Sequence, residues 1–171
     1  FGFGSIFGRD PKRVTQIILE AVRRTGVRAI LARGWGGLVP SDSAQSESVM
    51  FIEAAPHRWL FPQVNAVVHH GGCGTTAAGL LAGKPSIICP FFGDQPFWGS
   101  HVERLRVGPS PIPQKRLTVE SLCNAIVTVI NDSTMRENAA VLGRRHRKES
   151  GTSNSVAFIN QWINDKLFRD P

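Results

Sequence analysis

A glycine-rich segment near the middle of the chain contains the residue types that bind phosphate groups. It reads Val67-Val68-His69-His70-Gly71-Gly72-Cys73-Gly74-Thr75-Thr76. A strand that runs through such a turn into a helix places free backbone N–H groups and the positive end of the helix dipole at one point. His70, Thr75 and Thr76 add side-chain donors. We therefore expect a phosphate group to bind here, at the carboxyl edge of a parallel sheet.

This turn fits neither of the common nucleotide fingerprints. No lysine stands where a P-loop requires one, and no G-x-G-x-x-G follows the strand. Taken alone, His69 and His70 could be ordinary strand-end histidines. Because adjacent strand residues point to opposite faces, the two are not expected to hold one metal ion together. Within the glycine turn, the phosphate interpretation of His70 is the favoured one.

A second polar pair follows the next apolar strand, in the segment Pro90-Phe91-Phe92-Gly93-Asp94-Gln95-Pro96. A carboxylate beside a carboxamide suits the vicinal hydroxyls of a sugar, because Asp94 accepts hydrogen bonds while Gln95 can both accept and donate. The alternative is that Asp94 only caps the helix starting at Pro96 and Gln95 is exposed. Both polar segments end strands, so they are predicted to share one sheet edge.

Alternating strand and helix patterns supply the elements that would position these segments. Buried strands are predicted over 27–32, 66–69 and 86–89 and another short strand over 49–52, and the first residues, Phe1 to Gly4, read as the end of another strand. Helices are predicted after Asp10-Pro11, over 74–81, after Thr118, after Asp132 or Ser133, and around Val156, Ile159, Trp162 and Ile163. The alternation predicts one α/β domain over 1–171, Rossmann-like, with a parallel sheet flanked by helices.

Composition narrows the class of protein. The 171 residues are 42% hydrophobic and 19% charged, as in an ordinary globular domain, and no apolar run is long enough to span a membrane. The formal net charge of +7 leaves nucleic acid, anionic lipid or a phosphorylated small molecule open as partners. Three cysteines with no metal-ligand spacing indicate free thiols and a reducing, cytoplasmic environment.

The order of the motifs resembles the donor-binding, C-terminal half of UDP-sugar-dependent glycosyltransferases with the GT-B fold. Pro56-His57 is followed by Leu60, then His-His-Gly-Gly-x-Gly-Thr, then a proline-bounded strand and Asp-Gln. Within that superfamily the chain is most similar to sterol 3β-glucosyltransferases, through Gly34-Trp35-Gly36-Gly37, Pro56-His57-Arg58-Trp59-Leu60-Phe61 and the stretch from Pro90 to Gly99. The likeness runs from Phe1 to about Trp162.

The resemblance implies a role for each matching residue. Gly4 and Ser5 match a loop that touches the diphosphate, and Pro56 and His57 match the segment lining the uracil pocket. The diphosphate clamp is matched by His70, Gly72, Gly74, Thr75 and Thr76, and the hexose contacts by Asp94 and Gln95. Trp35 and Trp59 are candidates to flank the base, although core packing is expected of at least one. Trp98 either lines the sugar or acceptor edge or anchors a helix in the core.

The resemblance further implies an inverting transfer of glucose from UDP-glucose to a hydroxyl of a sterol, another lipid or a small molecule, without a metal or another cofactor. The general base and acceptor pocket of the family belong to an N-terminal domain, which we expect to be missing from this chain; turnover by the chain alone is not expected. No nucleic acid is expected as a partner, and a peripheral membrane contact stays open.

Two other functions remain alternatives at this point. The chain could be a separate catalytic subunit that docks on a membrane-bound partner, or a module that senses a nucleotide sugar without catalysis. A dinucleotide-binding oxidoreductase is disfavoured because its fingerprint and downstream acidic residue are missing.

Overall fold

The computed structural model describes residues 1–4, 10–34, 38 and 47–168 of the chain. These residues contain four parallel strands: β1 (Ala29–Ala32), β2 (Val49–Ile52), β3 (Val67–His69) and β4 (Ser86–Ile88). The seven α-helices of the described residues are α1 (Pro11–Thr25), α2 (His57–Leu60), α3 (Cys73–Leu81), α4 (Gln95–Arg104), α5 (Val119–Asn131), α6 (Ser133–His146) and α7 (Gly151–Phe168).

The first residues of the chain join the two strand pairs into one sheet. β1 pairs with β2 and β3 pairs with β4, both in parallel. Gly2 forms parallel bridges to Ala32 on one side and to His69 on the other. Its N–H donates to the carbonyl of Val68 at 3.0 Å, and the Ala32 N–H donates to the carbonyl of Phe1 at 2.8 Å. The sheet order is therefore β2, β1, residues 1–3, β3, β4.

Helices cover both faces of this sheet, as predicted. On one face α1 and α5 pack together over a core that includes Ile18, Leu31, Val68 and Leu122, which are at most 4% exposed. On the other face α3, α4 and α6 enclose a second cluster formed by Leu80, Ile88, Val102, Val107 and Ala139. The α/β prediction is confirmed.

Local capping signals define the predicted helix boundaries. The Asp10 carboxylate accepts from the Arg13 N–H at 2.9 Å, and Gly26 ends α1 in the left-handed region at φ +68°. Thr118 begins α5 with a capping box, and Asp132 caps α6 by accepting from the Met135 N–H. These signals lie within a few residues of the boundaries, which explains why the sequence predicts them.

Four details differ from the sequence prediction. The first described strand is shorter, beginning at Ala29, and α4 begins one residue earlier, at Gln95. The short helix α2 follows Pro56 without a predicted signal. On α7, the apolar side chains Val156, Ile159, Trp162 and Ile163 are all exposed.

Candidate functional site

Three neighbouring strand ends bring the predicted site residues to one edge of the sheet. Gly4 follows the strand-like residues 1–3, His70 follows β3, and Asp94 lies in the loop after β4. Because these strands are adjacent and parallel, their carboxyl ends open onto a common cleft. The structure thus places both polar sequence motifs beside the first glycine turn.

The His70 imidazole lies between two glycines of different loops. A methyl group added at Gly72 would lie 2.4 Å from His70 Nε2, and one added at Gly4 would lie 3.2 Å from Cε1. Gly4 also has φ +65°, a backbone conformation that favours glycine. A methyl group at Gly34 would come within 2.5 Å of the Gly4 carbonyl oxygen, so the loop after β1 closes tightly on Gly4 as well. Side chains at these glycines would displace the histidine or the neighbouring backbone.

The N-terminus of α3 points its backbone donors into this region. Gly72 is the N-cap residue, and no side chain of the described residues caps this end. The first intrahelical bond runs from the Thr76 N–H to the Gly72 carbonyl at 2.9 Å. The N–H groups of Cys73, Gly74 and Thr75 therefore precede the helical ladder and are available to an anion. A methyl group at Gly74 would meet nothing within 4 Å, so the approach to these amides is open.

Thr76 contributes to the site differently from the sequence prediction. Its hydroxyl donates to the Gly72 carbonyl at 2.9 Å, and the residue is only 1% exposed. The hydroxyl therefore stabilises the turn and does not face a ligand. Thr75 is half-buried, which keeps its hydroxyl within reach of the cleft.

His69 stabilises the glycine turn through a buried hydrogen bond. Its Nδ1 accepts the Gly71 N–H at 3.0 Å, and the residue is 1% exposed. Burial is the largest cause that lowers the pKa of the His69 imidazole to about 3, and nearby His70 and His57 contribute to the same shift. The ring is therefore neutral in the folded protein, with Nδ1 as its acceptor and Nε2–H buried without a partner among the described residues.

Two opposing effects act on His70 itself. Burial lowers the pKa of the His70 imidazole, while the negative charge of Asp94 raises it by a smaller amount. The two predicted motifs are therefore within electrostatic range of each other.

The buried Gln95 side chain stabilises the loop after β4. It is 5% exposed, and its Oε1 accepts the N–H groups of Phe91 at 2.8 Å and Phe92 at 3.3 Å. This oxygen, predicted to accept from a sugar, is already engaged by the backbone. The alternative in which Gln95 is exposed is wrong, because the loop's own amides draw the side chain inward.

The two loops are in direct contact at Gly71. This residue has φ +89°, and a methyl group there would lie 2.7 Å from Ile88 Cγ2 and 3.1 Å from the Gln95 carbonyl oxygen. Only glycine fits the position without a shift of the neighbouring backbone. The turn after β3 and the start of α4 after β4 therefore pack closely at Gly71, which has no side chain of its own.

Asp94 occupies the N-cap position of α4 but does not cap it. Its side chain forms no capping hydrogen bond, and its Oδ2 accepts the Trp98 indole N–H at 2.7 Å. The alternative of a simple helix cap is therefore wrong. This pair was not predicted from the sequence, although a spacing of four residues across the first turn of a helix is a signal for such a contact.

The segment predicted to line a base pocket forms α2 and is largely exposed. Pro56 is the N-cap, and the His57 ring stacks on Phe61 with centroids 4.5 Å apart and planes 14° apart. Trp59 is 63% exposed, which excludes a role in the core. A groove of about 1240 Å³ is lined by Gly4, His57 and Thr75 among others, but His70, Asp94 and Gln95 are not part of its lining.

Two predicted site residues lie outside the described parts of the chain. Ser5 and Trp35 are not among the described residues. Within the parts of the chain that are described, no cluster of three or more His, Cys, Asp or Glu residues has metal-binding geometry, and no helix is long and apolar enough to cross a membrane.

Comparison with solved structures defines the class of fold. The glycotransferase of kitacinnamycin superposes with a TM-score of 0.78 at 24% identity, over 93% of this chain and 41% of that one. UDP-glucose: anthocyanidin 3-O-glucosyltransferase, solved in complex with UDP, gives a TM-score of 0.70 at 18% identity, over 88% and 35%. The fold is that of the C-terminal half of GT-B glycosyltransferases.

Residues 39–156 match the family described as erythromycin biosynthesis protein CIII-like, C-terminal domain, and the chain belongs to this glycosyltransferase family. Sterol 3-beta-glucosyltransferase UGT80B1 of Arabidopsis thaliana is 53% identical over 166 residues, 97% of this chain and 27% of the relative. UGT80A2 of the same plant is 45% identical over 155 residues, 91% and 24%. The chain thus spans about a quarter of the length of these relatives.

Proposed function

We propose that this chain is the UDP-glucose-binding domain of an inverting glycosyltransferase that moves glucose to the hydroxyl of a sterol, another lipid or a small molecule. The observation that carries the proposal is the position of His70. Its imidazole lies between Gly4 and Gly72, beside the open N-terminus of α3 and within electrostatic range of Asp94. The names of the Arabidopsis relatives and the UDP complex of the anthocyanidin enzyme support the same donor.

The diphosphate is proposed to bind at the start of α3. The N–H groups of Cys73, Gly74 and Thr75 and the helix dipole favour negative charge there. During direct displacement, UDP leaves the anomeric carbon with growing negative charge. Donors already aimed at that charge lower the barrier, each by about 2–4 kcal/mol when well placed. His70 adds a donor at the same point and acts electrostatically, not as the base that activates the acceptor.

The sugar and the base are proposed to extend in opposite directions from the diphosphate. Asp94 lies on the side of the neighbouring loop, where its carboxylate can accept from hexose hydroxyls. His57 lies on the other side, with its ring orientation fixed by Phe61. This arrangement matches a ligand that has a planar base at one end and a polyhydroxylated ring at the other.

Acceptor activation is not assigned to any residue of this chain. The proposal is that the chain binds the donor without turnover of its own and that catalysis requires the remainder of an enzyme of the relatives' length. Where the acceptor is a lipid, the same proposal includes a peripheral contact of the enzyme with the membrane that contains this lipid.

Calorimetric titration with UDP, UDP-glucose and NAD tests the donor assignment. We expect UDP and UDP-glucose to bind, His70→Ala to weaken both, and Asp94→Ala to weaken UDP-glucose more than UDP. His146→Ala, in the last turn of α6, is the matched control and should change none of these affinities. A folded chain that binds NAD and no uridine nucleotide would overturn the proposal.

A further inference from the structure

The Asp94 carboxylate is held by a single, well-defined contact. Trp98 lies four residues later on α4, and its Nε1–H donates to Asp94 Oδ2 at 2.7 Å. This distance is at the short end of the range for hydrogen bonds to an ionised carboxylate. Since Asp94 does not cap the helix, the indole is its only hydrogen-bond donor among the described residues.

The indole is itself fixed by neighbouring rings. Trp98 packs edge-on against Phe97, with centroids 5.2 Å apart, and against His101, with centroids 6.2 Å apart. His101 stacks on Phe97, and its Nδ1 lies 2.7 Å from Arg104 Nη2. The donor that holds Asp94 is therefore part of an ordered aromatic cluster on the exposed side of α4.

The two carboxylate oxygens of Asp94 differ in their hydrogen bonding. Oδ2 is occupied by Trp98, whereas Oδ1 has no donor from the described part of the chain. A carboxylate on an exposed loop samples several rotamers, and ordering it on ligand binding lowers affinity. The indole N–H selects one rotamer before any ligand arrives.

We propose that Trp98 is a positioning residue for sugar recognition: it orients Asp94 so that Oδ1 accepts from a hydroxyl of the donor hexose. The inference rests on the proposed function, since it requires a UDP-sugar in the cleft. Its specific content is that the indole N–H, and not the bulk of the ring, sets the preference for the sugar-bearing nucleotide.

Two substitutions separate the hydrogen bond from the ring. Trp98→Phe keeps an aromatic ring and removes the donor. Trp98→Gln removes the ring and keeps an N–H donor that can reach a carboxylate four residues earlier. Trp162→Phe, at a tryptophan on α7 that is 57% exposed, is the matched control.

The measurement is the dissociation constant of UDP-glucose and of UDP for each variant. We expect Trp98→Phe to weaken UDP-glucose about 3- to 10-fold while leaving UDP unchanged, and Trp98→Gln to recover most of this loss. Trp162→Phe should match the wild type for both ligands. A purely structural role for Trp98 would move both dissociation constants together.

The outcomes distinguish the inference from the proposed function. If the wild type binds UDP and Trp98→Phe keeps the full preference for UDP-glucose, the inference is wrong and the proposed function stands. If Trp98→Gln loses as much preference as Trp98→Phe, the ring and not the hydrogen bond is responsible, and the inference is again wrong. If the folded wild type binds neither nucleotide, the proposed function is wrong, and the inference that depends on it is wrong with it.

Discussion

The imidazole of His70 lies against Gly72 so closely that a single methyl group at Gly72 would come within 2.4 Å of Nε2. Gly72 has φ −61° and ψ 142°, which alanine adopts without strain. Space for the histidine, and not backbone conformation, is therefore what requires glycine at this position.

Gly72→Ala should displace the His70 ring and weaken UDP binding about 10- to 100-fold, the cost of one hydrogen bond to a charged group. Titration of the double variant with His70→Ala provides the check. Once the ring is gone, the added methyl group should cost little more, so the two effects should be strongly non-additive. Additive losses would show that Gly72 acts independently of His70.

Gly74→Ala should move stability and binding in opposite directions. Alanine is better than glycine inside a helix by about 1 kcal/mol, and nothing within 4 Å obstructs the methyl group. The same methyl group would occupy the approach to the α3 amides and weaken UDP binding. Denaturant unfolding and calorimetry report the two effects, and Gly151→Ala, also unobstructed but remote from the cleft, should leave affinity unchanged.

The affinity for UDP-glucose should rise as the pH falls from about 7.5 towards 6. Burial holds the pKa of His70 below its ordinary 6.5 in the free protein. A bound diphosphate favours the charged imidazolium and raises that pKa, so the complex binds more protons than the free protein. Calorimetry in buffers of different ionisation enthalpy measures this uptake. His70→Gln should abolish it, and uptake that persists in this variant would assign the proton to another group.

His69 should make the fold less stable in acid. Its pKa is lowered from 6.5 to about 3 in the folded state, so between these values the unfolded chain binds the extra proton. Its contribution is complete above pH 6.5 and is lost progressively as the pH falls, by at most about 1.4 kcal/mol per pH unit. Denaturant unfolding at several pH values should show a shallower dependence for His69→Gln. Equal slopes would mean that His69 is not buried and neutral.

Replacing Gln95 should destabilise the protein even without a ligand. Gln95→Met keeps the length of the side chain but leaves the N–H groups of Phe91 and Phe92 without their acceptor, at a cost of about 1–3 kcal/mol. Gln16→Met, on the exposed side of α1, should change the unfolding free energy by no more than about 0.5 kcal/mol. Equal effects at the two positions would argue against the buried role of Gln95.

The sequence predicted those features that depend on neighbouring residues. Asp10 and Thr118 each cap a helix with groups three residues away, so the boundaries of α1 and α5 were accessible without a structure. The sequence predicted a parallel α/β sheet but not the order of its strands, because the pairing of Gly2 with Ala32 and His69 joins distant segments.

The partners of two polar site residues were not predicted, although they lie only three or four residues away. Gln95 has the composition of a sugar ligand, yet its oxygen faces inward because two backbone amides need an acceptor. Thr76 has a hydroxyl suited to phosphate, yet the nearest acceptor is a carbonyl one turn earlier in its own helix. Residue type indicated the chemistry available at these positions, and unpaired backbone groups of the adjacent turn decided where each side chain is directed.

The contact between Gly71 and Gln95 sets a fixed length in the cleft. A side chain at Gly71 would clash with Ile88 and come close to the Gln95 carbonyl oxygen, so the His70 turn and the Asp94 loop approach closely at this glycine and their separation there depends on the backbone. A ligand that spans both turns must match this length. The backbone separation of the two turns therefore limits the length of a ligand that contacts both, and side-chain rotamers make only smaller adjustments.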